Sequence, residues 1–233
     1  MEKNKTGKYF KYAIGEIVLV VIGILIALQI NNWNEGRKNN QRETLILKEI
    51  LNSINKDLKY NEDVVDRLIE RKRQGLDSLE TYIVDKKPIQ DSLFLNFYSD
   101  AGQIIALLYD NGPYEALKSS GLELITNDSL RSAINNLYAF DLPTFTSFSN
   151  IRNDQTYPEI SELRRNFIKL TPGPQKEDYI PRALKVDDIL NNQDFLLVYN
   201  LERNKYRIYT YWLKNMRTSL SDLKTQIEKE LEK

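Results

Sequence analysis

"GEIVLVVIGILIALQINNW", Gly15 to Trp33, decides how the rest of the chain is read. Ile17 to Leu28 is an unbroken run of 12 residues without a polar side chain. Such a run forms a buried core helix, a cleaved export signal or a permanent membrane span, and its flanks separate the three. Tyr12 to Trp33 is 22 residues, about 33 Å of helix against a hydrocarbon layer of about 30 Å. Tyr9, Phe10 and Tyr12 stand on one side and Trp33 on the other, where interfacial aromatic rings belong. A core helix would show a polar face inside the run, and this one has none. A signal would exit through paired small residues. Here the exit reads Ala27-Leu28-Gln29-Ile30-Asn31, and Glu16 interrupts the start. The expectation is one uncleaved transmembrane helix over residues 12–33, preceded by a short basic tail, 1–11.

Lys3, Lys5, Lys8 and Lys11 lie before the span; Arg37, Lys38, Arg42 and Lys48 lie within about 15 residues after it. The basic side faces the cytoplasm. The denser cluster is the first, so the expected topology has the N-terminus in the cytoplasm and the C-terminal domain outside it. At 100° per residue Glu16, Val20, Gly23, Ala27 and Asn31 share one stripe of the span. Gly23 and Ala27 are a small-xxx-small pair, which lets two helices approach closely while polar groups bond across the seam. The stripe reads as a self-association or partner-docking seam; an anchor whose Glu16 simply snorkels is the plainer alternative.

Beyond Trp33 the apolar residues follow steps of three and four: Leu47, Leu51, Ile54, Leu58, Asn61, Val65, Leu68, Lys72, Leu76, Leu79 and Ile83. That spacing predicts one long amphipathic helix from about residue 35 or 41 to 84, ended by Pro88. Asn61 and Lys72 interrupt the stripe, either to fix register or to face water. Tyr209, Leu213, Met216, Leu220, Leu223, Ile227 and Leu231 predict a second long helix over about 193–232, capped by Asn191 or Asn192. Paired antiparallel, these helices return the C-terminus toward the span. Shorter helices are expected over about 92–168. One runs from Ser92 to Tyr109. Another lies between Pro113 and Gly121, with Pro at the first turn and Gly just past the end. A third, capped by Asn127 or Asp128, runs to Phe140 and stops at Pro143, and a fourth runs from Thr144 to Ile168. "TPGPQKEDYIPRAL" reads as a loop, and Asp187 as the cap of a short helix. The class is therefore all-α: a single span followed by an elongated helical bundle, residues 34–233.

Composition narrows function by exclusion. Lys plus Arg and Asp plus Glu both number 33, so no basic footprint points to nucleic acid. The chain has no cysteine and no histidine. Thiol catalysis, disulfides, Ser-His-Asp triads and His- or Cys-ligated metals are therefore impossible. No phosphate loop, GxGxxG, GxSxG or EF-hand loop occurs. Glu62 with Asp63, Asp187 with Asp188, and Glu228 with Glu232 are carboxylate pairs, but on helix faces or at a cap they read as charged surface. The same holds for Glu70, Arg71, Lys72 and Arg73. No cofactor, metal or catalytic residue is expected. Tyr199, Tyr206, Tyr209, Tyr211 and Trp212, with Tyr138, Phe140, Phe145 and Phe148, read first as bundle core and second as a binding groove.

"KYFKYAIGEIVLVVIGILIALQINNWNE", Lys8 to Glu35, and "ALKSSGLELITNDSLRSAI", Ala116 to Ile134, resemble an uncharacterised family of Gram-negative bacterial single-pass membrane proteins, a domain of unknown function. "DFLLVYNLERNKY", Asp194 to Tyr206, resembles it more weakly. The resemblance implies an N-terminal anchor followed by a helical domain, and no activity. The expected setting is the bacterial inner membrane, with the bundle in the periplasm. The expected role is a non-enzymatic, membrane-anchored interaction or scaffold protein, in contact with the bilayer and through its span with a second copy or a partner membrane protein. The alternative is a sensor-like ligand-binding bundle. Only about eleven residues precede the span, so such a sensor is expected to signal through a partner chain.

Overall fold

The computed structural model describes residues 6–173, 175, 179–183 and 189–233. The apolar stretch and the polar stripe after it are one helix, not two. α1 (Thr6–Tyr60) passes through a wide π turn, Asn61–Val65, into α2 (Asp66–Asp85). Eighty residues at 1.5 Å each make a rod about 120 Å long. No glycine or proline pair breaks it after Trp33, so the stretch between the apolar segment and the bundle stays helical, and the helix expected from about residue 35 or 41 continues straight out of the first. In the π turn the Asp66 N–H reaches back to the Asn61 carbonyl. Arg217 holds the turn from outside: its guanidinium donates to the Asn61 carbonyl at 2.6 Å and pairs with Asp66 at 2.9 Å. Lys86, in the left-handed region at φ 51°, ends the rod two residues before Pro88.

The chain then folds back. α3 (Asp91–Ala101) descends along α2, and residues 103–110 continue in extended form toward α4 (Gly112–Ser120). The expected helix from Ser92 to Tyr109 therefore stops halfway. Its second half reads Ile104-Ile105-Ala106-Leu107-Leu108-Tyr109, and burial alternates: Ile105 and Leu107 are fully buried, Ile104 and Leu108 more than half exposed. That is the period of an extended chain. Pro113 stands in the first turn of α4, and Gly121 follows it at φ 97°, as their placement predicts.

The third limb rises again. Asn127 caps α5 (Asp128–Asn136), accepting from the N–H groups of Ser129 and Leu130 at 3.1 and 3.2 Å. A second π turn, Leu137–Asp141, leads directly into α6 (Leu142–Arg164). Pro143 does not stop the helix. A proline ring clashes with the carbonyl four residues back in a regular α-helix. Here that carbonyl, of Ala139, lies within the π turn, and the Leu142 N–H reaches five residues back to Leu137. α6 also carries Pro158 inside it and ends at Arg164, short of Ile168.

The expected loop after it contains an antiparallel hairpin: β1 (Ile168–Pro172) pairs with β2 (Tyr179–Ala183), Leu170 opposite Pro181. Helix makes up 82% of the chain and strand 4%, so the class is all-α with this one small addition. The expected cap at Asp187, and Lys3 and Lys5 of the basic tail, lie outside the described residues. α7 (Gln193–Leu231) descends the full height of the bundle, capped by Asn192, which accepts from the Phe195 N–H at 3.0 Å. Its far end meets the start of the third limb, where the Asn127 amide donates to Glu230. The four limbs thus run up, down, up and down, and the C-terminus returns toward the apolar segment.

Two apolar cores stack along the bundle. The near core, toward the apolar segment, gathers Leu47, Ile50, Ile54, Val65, Ile134, Leu142, Met216 and Leu220 among others. The far core gathers Leu76, Leu79, Phe94, Phe167, Phe195 and Val198. Phe94, Phe167 and Phe195 meet edge to face at 5.2 and 5.7 Å. Between the cores lies a layer of charge.

Candidate functional site

The extended segment 103–110 runs inside a helical bundle, so its backbone has no ladder of its own. Buried amides and carbonyls must find partners. Side chains supply them. The Lys72 ammonium donates to the Ala101 carbonyl and, at 3.3 Å, to that of Gln103. Ser149 donates to the Ile105 carbonyl at 3.3 Å and Ser53 to the Asp110 carbonyl at 2.9 Å. Both Asp57 carboxylate oxygens accept from the Asp110 N–H, at 3.1 and 3.2 Å. Four buried polar side chains are thereby accounted for structurally. Desolvation pushes the Asp57 carboxyl up to about 6, against the lowering effect of that backbone N–H.

The charged layer is not fully accounted for. Lys72, Glu202 and Lys205 are 0%, 5% and 3% exposed. One Glu202 oxygen takes the Lys72 ammonium and the other takes Lys205 at 3.3 Å. Lys72 spends all three of its protons. Lys205 spends one, and among the described residues its other two have no partner. Two buried cations face one buried anion, and desolvation drives Lys72 down to about 8.

A cleft of about 230 Å³ opens beside this layer, walled by α2, α3, α6 and α7. Glu202 and Lys205 line its charged side, and Tyr98, Leu79, Phe195 and Val198 its apolar side. Tyr199 is also on its wall, with its buried hydroxyl set toward Glu80 and Arg203, outside the lining of the cleft. Arg164, exposed and without an ion pair among the described residues, stands at the rim with Tyr157 and Ile104. Gly75 sets the geometry: a Cβ there would lie 2.4 Å from the Ala101 nitrogen and 2.6 Å from the Phe97 carbonyl oxygen. Only glycine lets α3 approach α2 closely enough to bring Ala101 over Lys72.

The residues singled out in the sequence fall into three groups. The stripe Glu16, Val20, Gly23, Ala27 and Asn31 lies bare on α1; the space around Gly23 is open to beyond 4 Å, and Asn31 reaches only Glu35, at 3.3 Å. Nothing among the described residues packs on it. Asn61 and Lys72, the interruptions of the first stripe, point inward and are fully buried, and Asn61 finds no side-chain partner. The run Glu70, Arg71, Lys72 and Arg73, expected as charged surface, divides: Arg71 pairs with Asp100 at 2.7 Å and Arg73 with Glu70 and Asp77 on the outside, whereas Lys72 faces the core instead of water. The aromatics divide. Tyr138 and Tyr209 are core, whereas Phe148 and Tyr211 are more than half exposed and flank Trp212, which stacks on Phe148 at 5.0 Å. Among the described residues no three carboxylates converge as a metal site would need.

Glu202 and Lys205 were legible in principle. Stepping back from Tyr209 by four, three, four and three residues lands on Lys205, Glu202, Val198 and Phe195, all buried. A charged residue on the seam of an otherwise apolar stripe is the signal.

A family of unknown function, DUF6090, matches residues 16–172, and the chain belongs to it. The match begins inside the apolar segment and ends in β1, so Asp194 to Tyr206 lies beyond it. No curated protein and no solved structure matches.

Proposed function

We propose that this DUF6090 member is a membrane-anchored, non-enzymatic interaction protein of the bacterial envelope. The observation that carries the reading is the bare apolar segment. Its large aliphatic side chains from Ile14 to Ile30 are 46–71% exposed, in a helix that then enters a well-packed bundle without a break. At about 25 cal/mol per Å², so much uncovered apolar surface demands lipid or protein around it. In the proposal the segment crosses the inner membrane with its basic start in the cytoplasm and the bundle in the periplasm. The stripe Glu16, Val20, Gly23, Ala27 and Asn31 meets a second copy or a partner span. Phe148, Tyr211 and Trp212 offer the bundle a rigid aromatic face of the kind that anchors protein contacts.

The test is photo-crosslinking in native membranes from Gly23 and from Tyr211, read by mass spectrometry, with a C-terminal tag exposed to protease in spheroplasts. Gly23→Ile is expected to abolish the crosslink through the span, and the tag is expected to be digested. An unchanged crosslink would remove the seam; a protected tag would reverse the orientation.

A second reading, a ligand-sensing bundle acting through a partner chain, is favoured by one feature: the cleft beside the unbalanced buried charge. Helical bundles place ligand sites between facing helices. In this reading occupancy of the cleft shifts α2 against α7 and changes the crosslinks made through the span.

A further inference from the structure

The polar groups of the bundle interior sort into those spent on the fold and those left over. Ser53, Asp57, Ser149 and Lys72 are spent on the backbone of the extended segment. Lys205 is not. It is 3% exposed, carries two unspent protons, and lines a cleft of about 230 Å³, room for about seven waters' worth of liquid. The layer behind it holds two ammonium groups against one carboxylate, so its net charge is positive. A buried net charge is costly unless something neutralises it. From the inside, the available relief is loss of a proton by Lys72. From the cleft, it is an anion.

We infer that the cleft between α2, α3, α6 and α7 binds a small organic carboxylate with a flat apolar body. The carboxylate sits against Lys205, and Arg164 closes on it from the rim. The body lies against Tyr98, Leu79 and Phe195. Two features select a monocarboxylate over phosphate. The excess charge at the layer is a single unit. The nearby end of α3, at Ala101, is a helix C-terminus, whose negative dipole end opposes a dianion. A charge-matched pair in a partly desolvated cleft is also stronger than at a surface.

This inference rests on the ligand-binding reading of the bundle, and the crosslinking and orientation tests of the anchor stand whatever its outcome. The experiment uses the full chain in nanodiscs and benzoate as the probe, with its neutral isostere benzamide, acetate and inorganic phosphate alongside. Benzoate at about 10 mM is expected to raise the unfolding midpoint, with a dissociation constant on the order of 1 mM. Acetate is expected to act more weakly, and benzamide and phosphate not at all. Lys205→Met is expected to weaken benzoate binding about ten-fold or more. Arg164→Gln, at an exposed position that folding does not depend on, is expected to weaken it about three-fold. Absence of any shift with benzoate, an equal shift with benzamide or phosphate, or unchanged affinity in Arg164→Gln would each overturn the inference. The Arg164 variant decides the matter even if Lys205→Met does not fold.

Discussion

At the scale of single residues the buried charges are unequal partners. Among the described residues Glu202 is the one anion paired with both Lys72 and Lys205. Removing its charge in Glu202→Gln leaves two ammonium groups facing each other out of water, a loss of about 3–5 kcal/mol. Lys72→Met instead leaves a balanced Glu202–Lys205 pair and forfeits the bonds to the Ala101 and Gln103 carbonyls, about 1–3 kcal/mol. Urea unfolding of both variants is expected to rank them in that order; the reverse order would mean that the layer's positive charge is already neutralised from elsewhere. Asp57 gives a pH signature. Its carboxyl moves from 3.8 to about 6, chiefly because burial disfavours the charge. Folding therefore favours the protonated form: the stabilising contribution is complete below about pH 3.8 and is lost as pH rises through 6. Asp57→Asn keeps one acceptor for the Asp110 N–H and does not titrate. Its stability relative to the parent is expected to rise between pH 4 and 6, by on the order of 2 kcal/mol, in denaturation curves measured across that range.

At the scale of elements, close approach outweighs propensity at Gly75. Alanine would gain about 1 kcal/mol of helix propensity in the middle of α2. Its Cβ, however, would meet backbone atoms of α3 at 2.4 and 2.6 Å, which no rotamer change can relieve. Overpacking of this kind costs about 1–3 kcal/mol or more. Gly75→Ala is expected to be net destabilising and to loosen the Lys72 bonds to α3, visible as faster amide exchange at residues 97–103. A neutral or stabilised variant would show that α2 and α3 do not hold this spacing. The elements also show what sequence can carry. Periodic stripes, caps at Asn127 and Asn192, and the Pro113–Gly121 bracket are local signals and translate directly into helices. Residues 103–110 are not local: their extended form depends on Ser53, Asp57, Lys72 and Ser149, which lie tens of residues away. Pro143 misleads for a related reason, because a π turn ending two residues earlier removes the clash that makes proline a helix stop. The cleft is legible only once four limbs are in place, since each contributes one wall.

At the scale of the whole molecule, the rod and the bundle have separate reasons to exist. Every residue from Ile14 to Trp33 is exposed, and no limb of the bundle reaches that part of α1. Burial begins at Glu43, which accepts from the Thr126 N–H at 2.8 Å, and Ile46 and Leu47 open the near core. The apolar segment thus contributes no packing to the folded domain, while α7 and the third limb close the core beneath Glu43 without it. A chain beginning at Asn34 is expected to fold with an unfolding midpoint within about 2 °C of the parent, and to remain in solution without detergent, whereas the parent requires it. The two halves of the experiment test different things. A large drop in midpoint would mean that the segment supports the bundle through contacts absent from a single chain, as a second copy would supply. An unchanged midpoint with continued need for detergent would move the apolar liability onto the bundle itself, to the face carrying Phe148, Tyr211 and Trp212. Soluble, fully stable protein from the shortened chain, set beside a parent that pellets with membranes, leaves the segment one physical role: transfer of its aliphatic surface out of water.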